Sequence, residues 1–281
     1  MPFTFSHPAA VLPLIGGGRG RGPLIASALV AGSLAPDVPF FLETLLPGSH
    51  GLGRFAHRAW GVPTLDVAIA GALAAGWHGL LREPMVALLP DPWADRADAL
   101  TSPLRKRGSE GWDPADAVWF AVSAGLGAFS HVGWDSFTHG GRAGVRLVPA
   151  LRREIGGMPL YHALQWSTSA VGLGLVAASG TAALRQQRTP QPRSIVLRPS
   201  VRRAALAAVA VGAFLGAAHR TARELPKSAG RPTPAHLVAA TTFGGGAGAA
   251  AAAAAVALAV RLTTRPTGTR AAGAGYRRRA L

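Results

Sequence analysis

The chain has no cysteine, which excludes disulfides and thiolate metal ligands and leaves His, Asp and Glu as the side chains able to hold a metal. Charge is scarce, 15% of 281 residues, and acids are scarcer still, 13 against 29 Lys and Arg. That scarcity leaves several stretches of about 20 predominantly apolar residues, long enough to cross the hydrocarbon core of a bilayer. No Gly-Lys-Ser/Thr follows the run Gly244-Gly245-Gly246, and no strand-like segment precedes it, so this glycine run is not a phosphate loop. What remains is the profile of a polytopic membrane protein.

Apolar windows at 24–46, 64–81, 117–138, 163–184, 204–219 and 235–260 predict an all-α, transmembrane helical bundle of about six spans. Four or five is the count if the first window, broken by Pro36-Asp37 and Pro39, or the short fifth one does not cross. Arg19 and Arg21 ahead of an apolar run suggest a signal peptide, but residues 2–15 are already apolar and the character resumes at Val38, so the segment is expected to stay. The net charge of +16 sits in clusters between apolar segments, notably Arg185 to Arg203 and Arg261 to Arg279. This reads as cytoplasmic loop bias and attraction to anionic membrane lipids, with no nucleic-acid partner. With the N-terminus inside, 19 of the 29 basic residues lie on the inner side, so both termini of this multi-pass cell-membrane protein are expected in the cytoplasm.

Four regions follow from composition. Residues 1–184 form a helical membrane core with every Asp and seven of the nine His; 185–203 is a basic cytoplasmic connector. Residues 204–260 are Ala/Gly-rich transmembrane helices, and 261–281 is a basic disordered tail. Inside the core, 82–116 mixes Arg105-Lys106-Arg107 with Asp91, Asp95 and Asp98 among prolines and reads as a solvated cytoplasmic loop without a site.

Chemistry concentrates in Ser130-His131-Val132-Gly133-Trp134-Asp135-Ser136-Phe137-Thr138-His139. On an α-helix each four-residue step advances about 40° and about 6 Å, so His131, Asp135 and His139 form one polar stripe. An acid costs about 2.5–3.5 kcal/mol at the centre of a membrane helix, so such residues usually mark a site. Asp37, behind a proline in an apolar run, makes the same case. The plain alternative has Asp135 pairing with Arg142 or capping a neighbouring helix. His78, His162, His219 and His236, taken singly, read as hydrogen-bonded packing residues, and Ser136 and Thr138 as interhelical hydrogen-bonders rather than nucleophiles.

The opening Met1-Pro2-Phe3-Thr4-Phe5-Ser6-His7-Pro8, the element Gly32-Ser33-Leu34-Ala35-Pro36-Asp37-Val38-Pro39, the stretch Ser130-His131 to Thr138-His139 and Leu160-Tyr161-His162-Ala163-Leu164-Gln165 resemble a bacterial membrane family, the domain of unknown function numbered 4184. The similarity covers about residues 1–180. That family is more distantly similar to inner-membrane proteins described as metal-dependent hydrolases, whose His-x-x-x-Asp pattern is like that of zinc-dependent phospholipase C. The resemblance implies a divalent metal, zinc among the candidates, held by His7, Asp37, His57, His131 and Asp135, with His139 as a further ligand. His50, seven residues before His57 in a Gly-rich loop, is the other counterpart for that position.

Geometry adds two constraints. Side chains at i and i+4 reach one ion, whereas a third ligand about 12 Å along the axis does not, so His139 serves a second ion or none unless it folds back at Gly140-Gly141. With a first window that crosses once, His7 lies on the opposite side from the other candidates; a re-entrant first segment would bring it back. Two functions of different class follow. One is a metal-dependent hydrolase acting on a phosphoester or acyl bond of a lipid or envelope precursor, with Asp37 and Asp135 catalytic as ligands or base. The other is a non-enzymatic scaffold, transport or regulatory protein whose polar residues hold the bundle together.

Overall fold

A computed structural model describes residues 3–102, 114–187, 193, 195–225 and 233–263. Residues 264–281 of the expected 261–281 tail, the Arg105-Lys106-Arg107 run and residues 188–192 and 194 of the basic connector lie outside the described residues, while 261–263 belong to the last helix. The described chain is all-α apart from two antiparallel two-residue hairpins, β1 (Ile15–Gly16) with β2 (Arg19–Gly20) and β3 (Glu154–Ile155) with β4 (Met158–Pro159). Four helices are long and apolar enough to cross a membrane: Val62–Val86, Leu160–Gln186, Pro199–Glu224 and Pro234–Thr263. They take up the second, fourth, fifth and sixth predicted windows.

The first window is a broken element. It consists of α1 (Ala26–Leu34), a 3-10 turn Ala35–Asp37 and α2 (Val38–Leu42), because Pro36 and Pro39 offer no N–H to the preceding turn. The third window is the 25-residue α7 (Pro114–Thr138), whose buried face carries Ser123, His131 and Asp135 and whose outer face exposes Val118, Val122, Leu126, Phe129 and Phe137. Polar residues turned inward lower its mean hydropathy without shortening it. Ahead of α1, Thr4–Leu14 winds as a 3-10 helix through Pro8 and Pro13, burying Ser6, His7 and Val11.

The core is built on small residues. Ala28, Ala31, Ala35, Ala70 and Ala124 form one buried cluster between α1, α7 and α4 (Val67–Gly76). A Cβ on Gly32 would lie 2.1 Å from the Ala124 carbonyl oxygen, and one on Gly127 2.2 Å from the Leu29 carbonyl oxygen. Glycine is therefore required for α1 and α7 to cross in backbone contact, and that contact sets the depth at which α7 presents its polar face.

The expectation of a solvated loop at 82–116 is corrected for the part described. Arg82 to Val86 is α5, the last turn of the Val62–Val86 helix, and Trp93–Thr101 is α6. Arg82 is buried and donates to Asp98 at 2.8 Å, while Val86, Ala94 and Ala97 pack together. Of the acids that suggested solvent, Asp98 is satisfied inside by Arg82, while Asp91 and Asp95 stay at the surface and pair with Arg193.

Three helices remain in the core, α3 (His50–Ala56), α8 (Ala143–Leu147) and α9 (Leu160–Gln186); α10 (Pro199–Glu224) and α11 (Pro234–Thr263) form an appended pair. Gly212 and Gly216 face Gly248 closely enough that a Cβ on Gly216 would lie 2.9 Å from the Gly248 Cα. The pair is fastened to the core at α2, where Arg220 donates to the Phe40 carbonyl and to Thr44 Oγ1 (3.2 Å) and Phe243 meets Phe41 edge-on at 4.9 Å. Arg261 adds a second tie, donating to the Leu80 carbonyl at 2.9 Å.

Candidate metal centre

Four separate pieces of chain bring five side chains to one point. The 3-10 segment supplies His7, the Pro36 turn supplies Asp37, the residue after α3 supplies His57, and α7 supplies His131 and Asp135. All five are buried, with Asp37 and His131 fully so. His57 Nε2 stands 3.6 Å from Asp37 Oδ1 and 3.4 Å from Asp135 Oδ2; His131 Nε2 stands 3.6 Å and 3.7 Å from the same two atoms. His7 Nε2 is 3.5 Å from Asp135 Oδ1.

Those separations are too long for N–H···O hydrogen bonds, which cluster near 2.9 Å. They match the edge of a tetrahedron of ligands around an ion bound at 2.0–2.2 Å, which is about 3.3–3.6 Å. His7 Nε2, His57 Nε2, His131 Nε2, Asp37 Oδ1 and Asp135 Oδ1 have no hydrogen-bond partner. Leaving one such atom without a hydrogen bond costs about 1–3 kcal/mol, and here five such atoms share one point.

The atoms facing away from this point are paired. His57 Nδ1 donates to the Gly53 carbonyl at 2.8 Å, His131 Nδ1 donates to the Ser33 carbonyl at 2.7 Å, and Thr4 Oγ1 donates to Asp37 Oδ2 at 2.6 Å. With Nδ1–H donated outward to a carbonyl, Nε2 is the nitrogen turned to the centre, the orientation that metal-binding imidazoles use. Burial, with the neighbouring His131, holds the His7 imidazole far below its ordinary value, at about 3.

The match of the family model for the domain of unknown function DUF4184 runs over residues 1–260. The chain belongs to this family. In this DUF4184 protein the matched region extends past α9 and takes in α10 and nearly all of α11, so the resemblance is not confined to about residues 1–180. No curated protein and no solved structure matches the chain.

Of the two counterparts for the third position, the DUF4184 fold puts His57 at the centre and His50 elsewhere. His50 is exposed at the start of α3, its N–H donating to Glu43 at 2.8 Å and its ring against Phe40. Burial pushes the Glu43 carboxyl up, but the N–H groups of His50 and Gly48 outweigh it and hold that carboxyl below its usual range. His139 folds back, as Gly141 in a left-handed conformation (φ +75°) follows the end of α7. Its Nδ1 lies 3.6 Å from Asp135 Oδ1 and 3.0 Å from the Asp135 carbonyl oxygen, with Nε2 unpartnered.

Arg142 does not pair with Asp135; it reaches the His57 carbonyl at 3.4 Å. Ser136 and Thr138 are not interhelical: their hydroxyls donate to Gly133 and Trp134 carbonyls of the same helix, the local back-bonding that short hydroxyl side chains favour. One residue near the centre escaped the sequence reading. Asp66 is fully buried, has neither carboxylate oxygen hydrogen-bonded, and lies in the π turn Val62–Asp66 packed on α7 and on the Asp37 turn. Its signal was the same as that of Asp37, an acid shortly after a proline in an apolar run.

Proposed function

We propose that this DUF4184 protein is a membrane-embedded, metal-dependent hydrolase. The observation that carries the reading is the four imidazole-to-carboxylate separations of 3.4–3.7 Å that link His57 Nε2 and His131 Nε2 to Asp37 Oδ1 and Asp135 Oδ2. Two imidazoles and two carboxylates suit zinc and also manganese or iron. A divalent ion held there would polarise a substrate oxygen and acidify a water.

The chain's own residues then divide the work. Asp37 acts as a ligand, since Thr4 takes Oδ2 and Oδ1 faces both His57 and His131. Asp66, with both oxygens open, is the nearby carboxyl not engaged with an imidazole. The accessible flank is at the end of α7, where the His139 side chain is 19% exposed against 2% or less for the others. Arg142, half-buried at that flank, favours a substrate carrying negative charge, and hence a lipid or envelope phosphoester over an acyl ester.

A cluster that serves only to hold the helices together predicts polar atoms bonded to one another across the bundle. Here the inward-facing atoms are the ones left without partners. The test is metal analysis of the detergent-purified full chain beside His131→Ala and Asp135→Ala, with hydrolysis of phosphodiester and phospholipid substrates assayed in the same samples. Stoichiometric metal and turnover in the parent, both lost in the variants, is the expected result. Equal and negligible metal in all three removes the proposal.

A further inference from the structure

Residues 139–159 join the end of α7 to the start of α9, a helix long and apolar enough to cross a membrane, so they lie where the chain meets the bilayer surface. This stretch has two apolar sets with opposite fates. Val145 and Leu151 are buried, and a Cβ on Gly144 would lie 2.7 Å from the Ser136 carbonyl oxygen, so α8 is seated on the end of α7. Leu147 is 78% exposed and Ile155 63%. Ile155 and Met158 are paired directly across β3 and β4, which puts both on one face of the hairpin, and both are exposed. Gly156 and Gly157, with φ of +60° and +76°, close the hairpin in a tight turn, and the Leu160 N–H donates to the Arg153 carbonyl at 2.9 Å. The apolar pair is thus held outward on a braced support.

The charge of the same stretch is one-sided. It carries Arg142, Arg146, Arg152 and Arg153 against Glu154 as its one acid, and all but Arg142 of these arginines are exposed. Apolar side chains displayed beside guanidinium groups suit a surface of anionic lipid, where the former enter the acyl boundary and the latter meet phosphates. Exposed tryptophans mark the level. Trp134 on α7 and Trp166 on α9 are both exposed, and Trp134 Nε1 donates to Thr168 Oγ1 at 3.2 Å, which sets the two at one height. Tryptophan collects at the boundary between membrane and water, and Asp135 is the next residue after Trp134.

We infer that residues 139–159 form a collar docked on the anionic phospholipid of one leaflet, with Ile155 and Met158 inserted and Arg146, Arg152 and Arg153 holding headgroups. The docking itself needs no metal. Its consequence rests on the metal-dependent reading above: the centre lies at headgroup depth, and the phosphoester that reaches its accessible flank beside Arg142 belongs to a lipid taken sideways from the leaflet.

Because the chain has no cysteine, Ile155→Cys carrying an environment-sensitive nitrobenzoxadiazole label reports on that position alone in the full chain. The labelled protein is reconstituted in phosphatidylcholine vesicles with and without phosphatidylglycerol. The expected result is quenching by lipids brominated near the headgroup end of the acyl chain, little quenching by aqueous iodide, and stronger quenching by brominated phosphatidylglycerol than by brominated phosphatidylcholine. Arg152→Gln with Arg153→Gln should weaken that preference by about fivefold per arginine removed. Leu147→Cys, labelled in the same way, gives a second reading should the hairpin not tolerate the label. Labels at both positions quenched by iodide and by no brominated lipid overturn the docking; equal quenching by the two brominated lipids overturns the recognition of anionic headgroups. In the same vesicles, turnover of a water-soluble phosphodiester in preference to phospholipid overturns the lateral route. Metal analysis of each sample keeps the two readings apart, since a chain without metal removes the hydrolase and leaves the label's result intact.

Discussion

The core that ends with α9 and the hairpin of α10 and α11 are both apolar and both bury charged groups, and the core's Arg82–Asp98 pair is satisfied as the hairpin's Arg220 is, but the His and Asp cluster is not. In the hairpin, Arg220 is buried with its donors directed at Glu224, Thr44 and the Phe40 carbonyl. In the core, three imidazole nitrogens and two carboxylate oxygens are buried pointing at one another with no bond between them. A satisfied buried charge fastens two elements together; a buried group of mixed donors without hydrogen bonds is what the proposed cation would satisfy. The difference agrees with composition, which puts every Asp and seven of the nine His in residues 1–184, and on the proposed function it gives the hairpin an architectural part and the core the chemistry.

The largest effect expected on that contrast comes from the ligands themselves. His131→Ala or Asp135→Ala should abolish metal binding and turnover together, and the thermal midpoint of the metal-free protein should move less than that of the loaded one, because the lost stability is binding energy. Next in size is Gly127→Leu, which drives a side chain into the Leu29 carbonyl. Separating α1 from α7 pulls the Ser33 carbonyl from His131, so this variant should lower both metal affinity and stability, the latter by on the order of 3 kcal/mol in detergent unfolding.

Arg220→Met should cost about 3 kcal/mol of stability, yet leave the metal content of the folded fraction unchanged. Loss of metal at full folding would break the division between the two regions. The smallest effect is expected for Thr4→Val, which removes the hydroxyl donated to Asp37 Oδ2. Metal affinity measured by competition with a chelator should fall about 10–100-fold with little change in the fold.

Much of this was legible in the sequence, for reasons that differ by residue. Helix number and placement followed from apolar length, and α7 was found from its window although its polar face kept its hydropathy low. His131, Asp135 and Asp37 announced themselves as groups costly to place in an apolar run, whereas His7 and His57 were indicated through family resemblance. Their positions cluster in the fold as geometry alone did not require: i, i+4 spacing can align two side chains but says nothing about the 3-10 segment that carries His7 to them.

Asp66 was overlooked because no second polar residue marked its helix face. The Arg82 and Asp98 pair was misjudged because charges close in sequence to prolines look solvated until a partner sixteen residues away is seen to neutralise them. Ser136 and Thr138 were misjudged because a hydroxyl's choice between its own helix and a neighbour is decided by local backbone geometry that sequence does not display.

The order in which the chain is made gives the Ser33 to His131 tie a further consequence. His7, Asp37 and His57 emerge early and belong to short, proline-interrupted pieces, but the imidazole that locks onto Ser33 and the carboxylate that closes the ring of ligands arrive only with α7. Until α7 is made and has crossed α1, His7, Asp37 and His57 lack the two partners that α7 brings. On the proposed function, cation loading waits for α7, and a nascent protein stalled before α7 should carry no ion at all.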